Sequence, residues 1–508
     1  MDYKVLGGDN LRIDSWLKIS EKDGIDFSKL KRKLTLPNPD YVTRVRLGYS
    51  TYEFEAHGKC QECGKQLHKR YQNKRDIPKK CEKCKSDIRY VVEQVEIDQH
   101  EYIYKEIGNE LWVPRGFINK FPDHKYEDNT ILKDKVDFKC KIKLGPNEYT
   151  AMNQEKFVTE IMDHFKGNYG AIGQSAPGSG KTATSIEIMA RIRQPTIVIV
   201  HKEFLMNQWV DRIQSFTNID KDDIGFIQQD VVDYKGKKVV IAMLQSLLSR
   251  EYPQEMYDSF GLVICDEVHR LAAREFRKTI TMFPAKYRLG ITATVKRKDN
   301  MENVFLWHIG DIASVGEQEG LKPKIKFVKT EIDPTSHELR QMYDWKGKQN
   351  LNKVTDYLIN SDKRNRTIVN LLIKALKSDR KIMVLSGRLA HLEQIKDLVN
   401  KQMIKEGLRY TVGYYIGGMS EKDRTISSTR NLILATYAMA EEGLDIPDMD
   451  TLFLSTPKSA IEQSVGRILR MYDGKKDPMV IDFSDPIEIC IGMLKKRMNA
   501  YKKLGYID

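Results

Sequence analysis

The sequence predicts an α/β protein with two tandem parallel-sheet domains, preceded by a mainly β N-terminal region with a four-cysteine module. Three observations predict this class. Up to about residue 145, aromatic and charged residues alternate, as in half-buried antiparallel strands. From about 147 to 325, short Val/Ile runs alternate with amphipathic helical patterns, and a second such block follows Lys322-Pro323-Lys324. This alternation predicts parallel sheets with helices on both faces.

The composition predicts several domains and a polyanionic partner. The chain has 508 residues, of which 41% are hydrophobic, and a formal charge of +13 at pH 7. Clustered Lys and Arg side chains gain affinity by releasing counterions from phosphates. No apolar run approaches the roughly 20 residues of a membrane span, and the N-terminus lacks a signal-peptide core. We therefore expect a cytosolic protein without a membrane partner.

Four segments are expected along the chain. They are an N-terminal region over 1–145, a first α/β domain over 146–328, a second over 329–486 and a basic C-terminal helix over 487–508. The charged side chains of this last helix are interpreted as the solvated face of a helix that packs on the second domain.

Four of the seven cysteines have metal-ligand spacing. The pairs Cys60-x-x-Cys63 and Cys81-x-x-Cys84 are separated by 17 residues, as in four-thiolate zinc ribbons. A tight turn at each pair would place four sulfurs tetrahedrally at about 2.3 Å from the metal. This spacing predicts a structural Zn²⁺ in a module over about 57–90. The alternative is four unrelated thiols.

The segment between the cysteine pairs is strongly basic. Residues 59–85 contain ten Lys/Arg and three Asp/Glu, a formal charge of +7, which four thiolates and one Zn²⁺ would reduce to about +5. We expect Lys69, Arg70, Lys74 and Arg75 to contact a duplex or a junction. The alternative is a solvated loop that serves stability alone.

A glycine-rich turn opens the first α/β domain. Ser175–Thr182 read Ser-Ala-Pro-Gly-Ser-Gly-Lys-Thr, between an apolar run and a helical pattern. Backbone N–H groups and the helix N-terminus can hold phosphate oxygens there. Lys181 would contact the β- and γ-phosphates, and the Thr182 hydroxyl would bind Mg²⁺. The expected nucleotide-binding residues of this turn are Pro177, Gly178, Ser179, Gly180, Lys181 and Thr182.

An apolar strand that ends in two carboxylates follows about 85 residues later. Leu262–Cys265 lead directly to Asp266 and Glu267. Asp266 would bind the metal, and Glu267 would act on the attacking water. The turn and the two carboxylates together predict a nucleoside triphosphatase that uses Mg²⁺.

The second α/β block contains no phosphate loop. The strands predicted in it lie near 381–386, 412–416, 432–435, 451–454 and 479–483. Two similar units, of which only one carries the loop, suggest that the nucleotide is held in the cleft between them.

These motifs resemble those of superfamily 2 helicases over roughly residues 150 to 485. Ala176–Thr182 match that family's Ala-x-x-Gly-x-Gly-Lys-Thr form, although Ser175 stands where the strict loop pattern has Gly. Arg288–Thr294, Glu442–Pro447 and Ile461–Arg470 resemble three further motifs of the family. The resemblance implies tandem RecA-like domains and a nucleic-acid motor.

The resemblance also implies roles for residues of the second domain. Gln463, Arg467 and Arg470 would reach the γ-phosphate of a nucleotide held by Lys181, with Ser464 replacing an arginine that many relatives have. Arginines that arrive only on domain closure would couple closure to hydrolysis, because a guanidinium stabilises the departing phosphoryl group by about 10³–10⁵ in rate.

Other residues are assigned by the same resemblance. Gly443 and Asp445 would line the cleft, and Gln154 lies where relatives keep an adenine-reading glutamine. The residues implied to contact the nucleic-acid backbone are His201, Lys202, Gln245, Ser246, Arg388 and Thr436. Trp209 is interpreted as a core residue, with a stacking platform as the alternative.

Two subfamilies are the most similar. Lys105–Phe117 resemble the segment before the motor in phage branch-migration helicases. Asp266-Glu267-Val268-His269 is shared with XPB-type repair helicases, which adds His269 to the expected catalytic residues.

The leading hypothesis is an ATP-driven DNA translocase that unwinds or branch-migrates forked DNA, acting as a monomer alongside recombination or replication proteins. One alternative is an RNA helicase, although the Asp-Glu-Ala-Asp and Ser-Ala-Thr forms of one large RNA class are absent. Another is a zinc-bearing clamp whose affinity for nucleic acid is switched by ATP without processive movement.

Overall fold

The computed structural model describes residues 11–47, 51–63, 66–71, 74, 77–81, 84–87, 90–147, 150, 152–176, 178–270, 274–295, 301–316, 321–344, 347–442, 446–469, 472 and 474–508. The chain forms two compact units. One comprises Met1–Ile131, Ala272–Lys286 and Lys296–Gly310, and the other comprises Leu132–Leu271, Tyr287–Val295 and Asp311–Asp508.

The β-strands and α-helices of the described residues have the following bounds. The strands are β1 Leu11–Ile13, β2 Trp16–Ser20, β3 Thr35–Pro37, β4 Tyr52–Lys59, β5 Gln66–Tyr71, β6 Tyr90–Glu96, β7 His100–Tyr102, β8 Lys105–Ile107, β9 Glu110–Pro114, β10 Tyr126–Asp128, β11 Gly170–Ser175, β12 Thr196–Val200, β13 Ile224–Gln228, β14 Val231–Val232, β15 Val239–Met243, β16 Leu262–Asp266, β17 Tyr287–Thr292, β18 Ile312–Gly316, β19 Lys324–Lys329, β20 Ile382–Ser386, β21 Val412–Tyr415, β22 Leu432–Thr436, β23 Thr451–Leu454 and β24 Met479–Ser484. The α-helices are α1 Phe27–Leu34, α2 Pro39–Leu47, α3 Gln154–His164, α4 Lys181–Ile192, α5 Glu203–Phe216, α6 Leu244–Ser249, α7 Gln254–Tyr257, α8 Arg274–Ile280, α9 Glu302–His308, α10 Ser336–Gln341, α11 Leu351–Ile359, α12 Asp362–Leu376, α13 Leu389–Lys405, α14 Glu421–Ser428, α15 Tyr437–Glu442, α16 Glu462–Gly466 and α17 Glu488–Lys503.

The N-terminal region is mainly β, as the alternation of aromatic and charged residues predicts. Its sheets have the orders β10-β1-β2-β9-β8, β5-β4-β6 and β3-β7, and all pairs except β1–β10 are antiparallel. The pattern over 102–106 suggests one strand, but β7 ends at Tyr102 and β8 begins at Lys105. Ile103 is buried and its N–H donates to the Leu34 carbonyl, which diverts the chain towards α1.

The N-terminal unit includes two segments from the middle of the chain. One contains α8, between β16 and β17, and the other contains α9, between β17 and β18. On α9, the Trp307 ring packs edge-to-face on Phe117 with 5.5 Å between centroids. A Cβ at Gly116 would lie 2.6 Å from the Trp307 carbonyl oxygen, so glycine permits this approach. The N-terminal unit is therefore built partly from chain that follows two strands of the first parallel sheet.

Arg115 connects the segment Ala272–Lys286 to the N-terminal strands through hydrogen bonds. Its side chain is buried, and Nη1 donates to the carbonyls of Ala285 at 2.7 Å and Asp14 at 3.3 Å. Arg115→Ala removes these bonds and leaves buried carbonyls without their donor, at a cost of about 2–3 kcal/mol. We expect the melting temperature of this unit to fall by roughly 5–10 °C in calorimetry. Lys120→Ala, an exposed control, should melt like the wild type, and equal melting of both variants would contradict the role of Arg115.

The first parallel sheet has the strand order β14-β13-β15-β12-β16-β17-β11-β18. All neighbours are parallel except β13 and β14. Strands β12 and β16 are buried along their whole length, as predicted for a sheet covered on both faces. Because β16, β17 and β11 are neighbours, their last residues Asp266, Thr292 and Ser175 lie at one edge of the sheet.

The second sheet, β19-β24-β23-β20-β22-β21, is parallel throughout. Its strands confirm the predicted ones to within a residue or two and add β19 at one edge. Strand β18 lies at one edge of the first sheet and ends at Gly316, and β19 begins at Lys324 at one edge of the second. No helix among the described residues is long and apolar enough to span a bilayer.

The C-terminal helix α17 packs on the second sheet. Tyr501 is fully buried in the core there, and its hydroxyl donates to Asp482 Oδ2 at 3.0 Å. Arg497, also buried, donates to Asp482 Oδ1 from Nη2 at 2.7 Å. Burial raises the pKa of Tyr501, and the Asp482 carboxylate raises this pKa further. Within the segment 487–508, Glu488–Lys503 form this helix.

Candidate active site

The glycine-rich turn joins β11 to α4 as the sequence predicts. Gly178 and Gly180 adopt φ values of +81° and +86°, which glycine reaches without steric cost. Lys181 begins α4, and its Nζ lies 3.3 Å from the carbonyl oxygens of both Ser175 and Ala176. The ammonium is therefore held over the turn at the start of a helix, where anions are stabilised. Thr182 follows in the first turn of α4, and Pro177 lies outside the described residues.

Ser175 replaces the first glycine of the strict pattern without distorting the turn. It is the last residue of β11 and is buried. Its Oγ accepts a hydrogen bond from Ser179 Oγ at 2.8 Å. Because a strand residue needs no left-handed φ, glycine is dispensable here, and the serine pair fixes the two ends of the turn instead.

Gln154 supports the same turn from α3. Its buried side chain accepts from Gly145 N–H at 2.8 Å and donates to the Ser179 carbonyl at 2.8 Å. A Cβ on Gly180 would lie 2.2 Å from Gln154 Nε2, so the amide packs directly on the glycine. The Gln154 side chain thus stabilises the phosphate loop through hydrogen bonds to its backbone and to Gly145. The sequence analysis assigned Gln154 to adenine and did not predict these bonds.

The two carboxylates lie beside the lysine. Glu267 Oε1 is 4.0 Å from Lys181 Nζ, and Glu267 has a left-handed φ of +51°. A non-glycine residue in that region costs of order 1–3 kcal/mol and is concentrated at functional sites. Burial, the largest cause, and the neighbouring Glu267 together raise the pKa of the Asp266 carboxyl to about 6, while the hydrogen bond from Trp209 and the charge of Lys181 lower it.

Trp209 is a core residue, as predicted, and it also holds Asp266. The residue is 1% exposed, and its indole Nε1–H donates to Asp266 Oδ2 at 3.0 Å. Sequence reasoning missed this contact. The signal available was a tryptophan two turns into the helix after β12, which is the neighbour of β16.

His269 links the carboxylates to the end of β17. Its Nδ1 lies 2.8 Å from Thr292 Oγ1 and 3.3 Å from Glu267 Oε2. Thr292 Oγ1 also donates to the Thr294 carbonyl at 2.7 Å. The His269 imidazole therefore lies between Glu267 and the Thr-Ala-Thr segment.

We call the domain built on the first sheet the first lobe and the domain built on the second sheet the second lobe. The second-lobe residues predicted for the site lie on and around α16. Gln463 is half-buried, and Arg467 Nε donates to the Ala440 carbonyl at 2.9 Å. Ser464 is fully buried, so the residue at this position packs inside the lobe. Arg470, Gly443 and Asp445 lie outside the described residues.

Strand ends carry the residues implied to contact nucleic acid. His201 and Lys202 follow β12, Gln245 and Ser246 follow β15, Arg388 follows β20, and Thr436 ends β22. Gln245 Nε2 donates to the His201 carbonyl at 3.3 Å, so the residues that follow β12 contact those that follow β15. Ser246 Oγ also accepts a hydrogen bond from Gln229 N–H at 2.9 Å, and Arg388 Nε donates to Asp356 at 3.0 Å.

Comparisons with known proteins agree with this architecture. The family model described as "Type III restriction enzyme, res subunit" matches residues 149–297, and "Helicase conserved C-terminal domain" matches residues 363–472. A protein of Acanthamoeba polyphaga mimivirus, named as a candidate ATP-dependent RNA helicase, is 34% identical over 421 residues, covering 80% of this chain and 76% of its own length. The chain belongs to the superfamily 2 helicases. It is therefore an ATP-dependent enzyme that acts on nucleic acid.

Two further similarities are more distant. A protein of Escherichia phage T5, named as a candidate helicase, is 23% identical over 343 residues, covering 65% of this helicase and 71% of its own length. The crystal structure of T4 UvsW is 17% identical with a TM-score of 0.37, covering 99% of this chain and 97% of that one. A superposition of that quality supports no inference about this helicase.

The predicted four-cysteine cluster of this helicase is assembled. All four Sγ atoms lie within 4.8 Å of one another, with 3.4 Å between Cys60 and Cys84 and 3.5 Å between Cys63 and Cys81. These separations exceed the roughly 2.05 Å of a disulfide. A tetrahedral metal with bonds of about 2.3 Å would hold its sulfurs about 3.8 Å apart. Hydrogen bonds to Ser86 lower the pKa of the Cys84 thiol to about 6, which favours its thiolate form.

The basic segment between the cysteine pairs is described in part. Arg70 is exposed on β5 and lies 3.5 Å from Glu55 on β4, and Lys74 is exposed. Arg75 and the side chain of Lys69 lie outside the described residues. The described part of this segment thus presents cations to solvent beside the cysteine cluster.

Proposed function

We propose that this helicase is an ATP-driven DNA translocase that unwinds or branch-migrates forked or branched DNA. The observation that carries the proposal is the meeting of Lys181, Asp266 and Glu267 at one edge of the first sheet. The second sheet has no equivalent loop in the sequence. A single site flanked by two lobes is the arrangement expected when nucleotide turnover moves one lobe against the other.

The first lobe would bind the nucleotide. Lys181 and the loop N–H groups would hold the phosphates, and Glu267 would orient and deprotonate the attacking water. Thr182 and Asp266 would hold Mg²⁺, since a hydroxyl and a buried carboxylate are the oxygen ligands that this cation prefers. Bound Mg²⁺ would neutralise charge on the phosphates. Gln154 would lie beside the adenine, with its amide tied to Gly145 and Ser179.

The second lobe would complete the site on closure. Gln463, Arg467 and Arg470 would face the γ-phosphate, with Gly443 and Asp445 lining the cleft. Through His269 and Thr292, the same closure would be passed to the strand ends that face the track.

The strand-end residues would hold one strand of the track by its backbone. His201, Lys202, Gln245, Ser246, Arg388 and Thr436 would make these contacts. Short polar groups at strand ends and helix N-termini suit phosphates, and such contacts position nucleic acid without reading its sequence. We therefore propose little base specificity.

The four-cysteine module would grip the duplex or the junction. We propose that one structural Zn²⁺ joins Cys60, Cys63, Cys81 and Cys84 and fixes the basic segment. The charge of +7 over residues 59–85 supports this role.

Reversing charge in this segment gives a direct prediction. Lys69→Glu, Arg70→Glu and Lys74→Glu together should weaken binding to a DNA junction and reduce the slope of log K against log salt by about 0.9 per lost phosphate contact. ATPase activity without nucleic acid should stay unchanged, because the phosphate loop lies in the other unit. An unchanged slope in fluorescence-anisotropy titrations would leave the segment with a purely structural role.

RNA unwinding is the second candidate function. The name of the mimivirus relative favours it, whereas the resemblance to phage branch-migration helicases and the basic module favour branched DNA. A strand-displacement assay with matched forked DNA and forked RNA separates the two. ATP-dependent displacement of the DNA fork supports the proposal, and displacement of RNA alone would replace it.

A further inference from the structure

A cavity of about 410 Å³ lies between the first and second lobes, within the unit that comprises Leu132–Leu271, Tyr287–Val295 and Asp311–Asp508. In the first lobe, one face of α5 lines the cavity, and the phosphate loop does not. In the second lobe, α14 and neighbouring residues line it. Its charged lining residues are Asp211 and Arg212 on α5 and Arg424 on α14. Both lobes therefore place charge in one cavity.

One nitrogen of the Arg424 guanidinium lacks an acceptor among the described residues. Its Nε is buried without a hydrogen-bond partner, and neither Arg424 nor Asp211 forms an ion pair among the described residues. A buried donor left unsatisfied costs about 1–3 kcal/mol. Such a group in a native structure needs an explanation, and a partner that arrives in another state of the protein supplies one.

We propose that Asp211 and Arg424 form an ion pair across this cavity when the lobes close, and that the pair stabilises the closed state. The inference rests on the closure described under the proposed function. Helix α5 begins directly after His201 and Lys202, which we propose to contact nucleic acid. The pair is a positioning contact that ties this end of the first lobe to the second lobe, so it strengthens the dependence of hydrolysis on the track.

Charge complementarity favours an ion pair over a bound anion. The cavity holds two arginines, but Arg212 already lies over the Phe216 ring with 5.7 Å to the centroid. A strand phosphate that reached Arg424 would also approach the Asp211 carboxylate, which repels it. A carboxylate and a guanidinium that face the same cavity from different lobes satisfy each other without a ligand.

The test is a charge swap in the full-length protein. Asp211→Arg and Arg424→Asp, made singly, should each raise the KM for ATP about tenfold in the presence of forked DNA, because like charges then meet on closure. Turnover without DNA should change less than about twofold, since neither residue lines the phosphate loop. The double variant restores the pair in reverse and should return the KM to within about threefold of wild type.

Two exposed residues give matched controls. Lys422→Asp on α14 and Asp220→Arg after α5 make the same charge changes outside the cavity and should leave all parameters unchanged. If DNA stimulates the wild type, and the KM of the double variant is raised by as much as the two single effects combined, the proposed ion pair is wrong. Loss of DNA binding in Arg424→Asp, with tighter binding in Asp211→Arg, would show a strand-phosphate site instead. A wild type that no nucleic acid stimulates would overturn the proposed function and the pair together.

Discussion

Glu267→Gln is expected to reduce nucleic-acid-stimulated ATP hydrolysis by about 10²–10⁴, the usual contribution of a positioned general base. The amide keeps the size of the side chain beside Lys181 but cannot accept the proton of the attacking water. Nucleotide binding should persist, since the loop and Lys181 are unchanged. Phosphate release measures the first effect, and titration with a fluorescent ATP analogue measures the second.

Two further variants make this result specific. Lys181→Ala should lose nucleotide binding as well as turnover, because the ammonium over the phosphate loop is removed. Glu255→Gln removes a carboxylate from an exposed pair with Lys235 and should behave as wild type. If Glu267→Gln hydrolyses ATP at a rate within a few-fold of wild type, Glu267 is not the general base.

Removal of the predicted zinc is expected to unfold the β4–β6 module. Structural Zn²⁺ in small modules supplies on the order of 10 kcal/mol of folding free energy, and Cys81 is one of two fully buried thiols of the cluster. Cys81→Ser should abolish zinc binding, expose residues 57–90 to limited proteolysis and weaken junction binding. Zinc content by atomic absorption and proteolytic mapping measure both effects.

Cys140→Ser is the matched control for this loss. Burial raises the pKa of the Cys140 thiol to about 12, and Cys140 belongs to no described metal cluster. We expect it to retain the zinc and the protease resistance of wild type. Titration of the wild type with an organomercurial should release one zinc per chain, and a metal-free wild type with an intact module would contradict the zinc site.

Local patterns predicted much of the fold. The strands of the second sheet follow from Val/Ile runs between helical patterns, because a strand buried on both faces must be apolar throughout. The phosphate loop and the cysteine cluster are compact in sequence, so residue type and spacing nearly define their geometry.

Contacts between distant segments could not be predicted in this way. The bond from Trp209 to Asp266 depends on which strands are neighbours, and strand order is not visible in any single segment. The same holds for Arg115, whose partner Ala285 is 170 residues away. The assignment of α8 and α9 to the N-terminal unit also needs tertiary structure, because in sequence both helices continue a regular alternation with β16, β17 and β18.

Steady-state ATPase rates on matched nucleic acids test the central proposal most directly. Forked DNA, duplex DNA, single-stranded DNA and forked RNA of one sequence should be compared at one salt concentration, with wild type and Glu267→Gln. We predict that forked DNA gives the largest stimulation and that Glu267→Gln abolishes it. Stimulation by RNA alone, or turnover that is indifferent to every nucleic acid, would contradict an ATP-driven translocase on branched DNA.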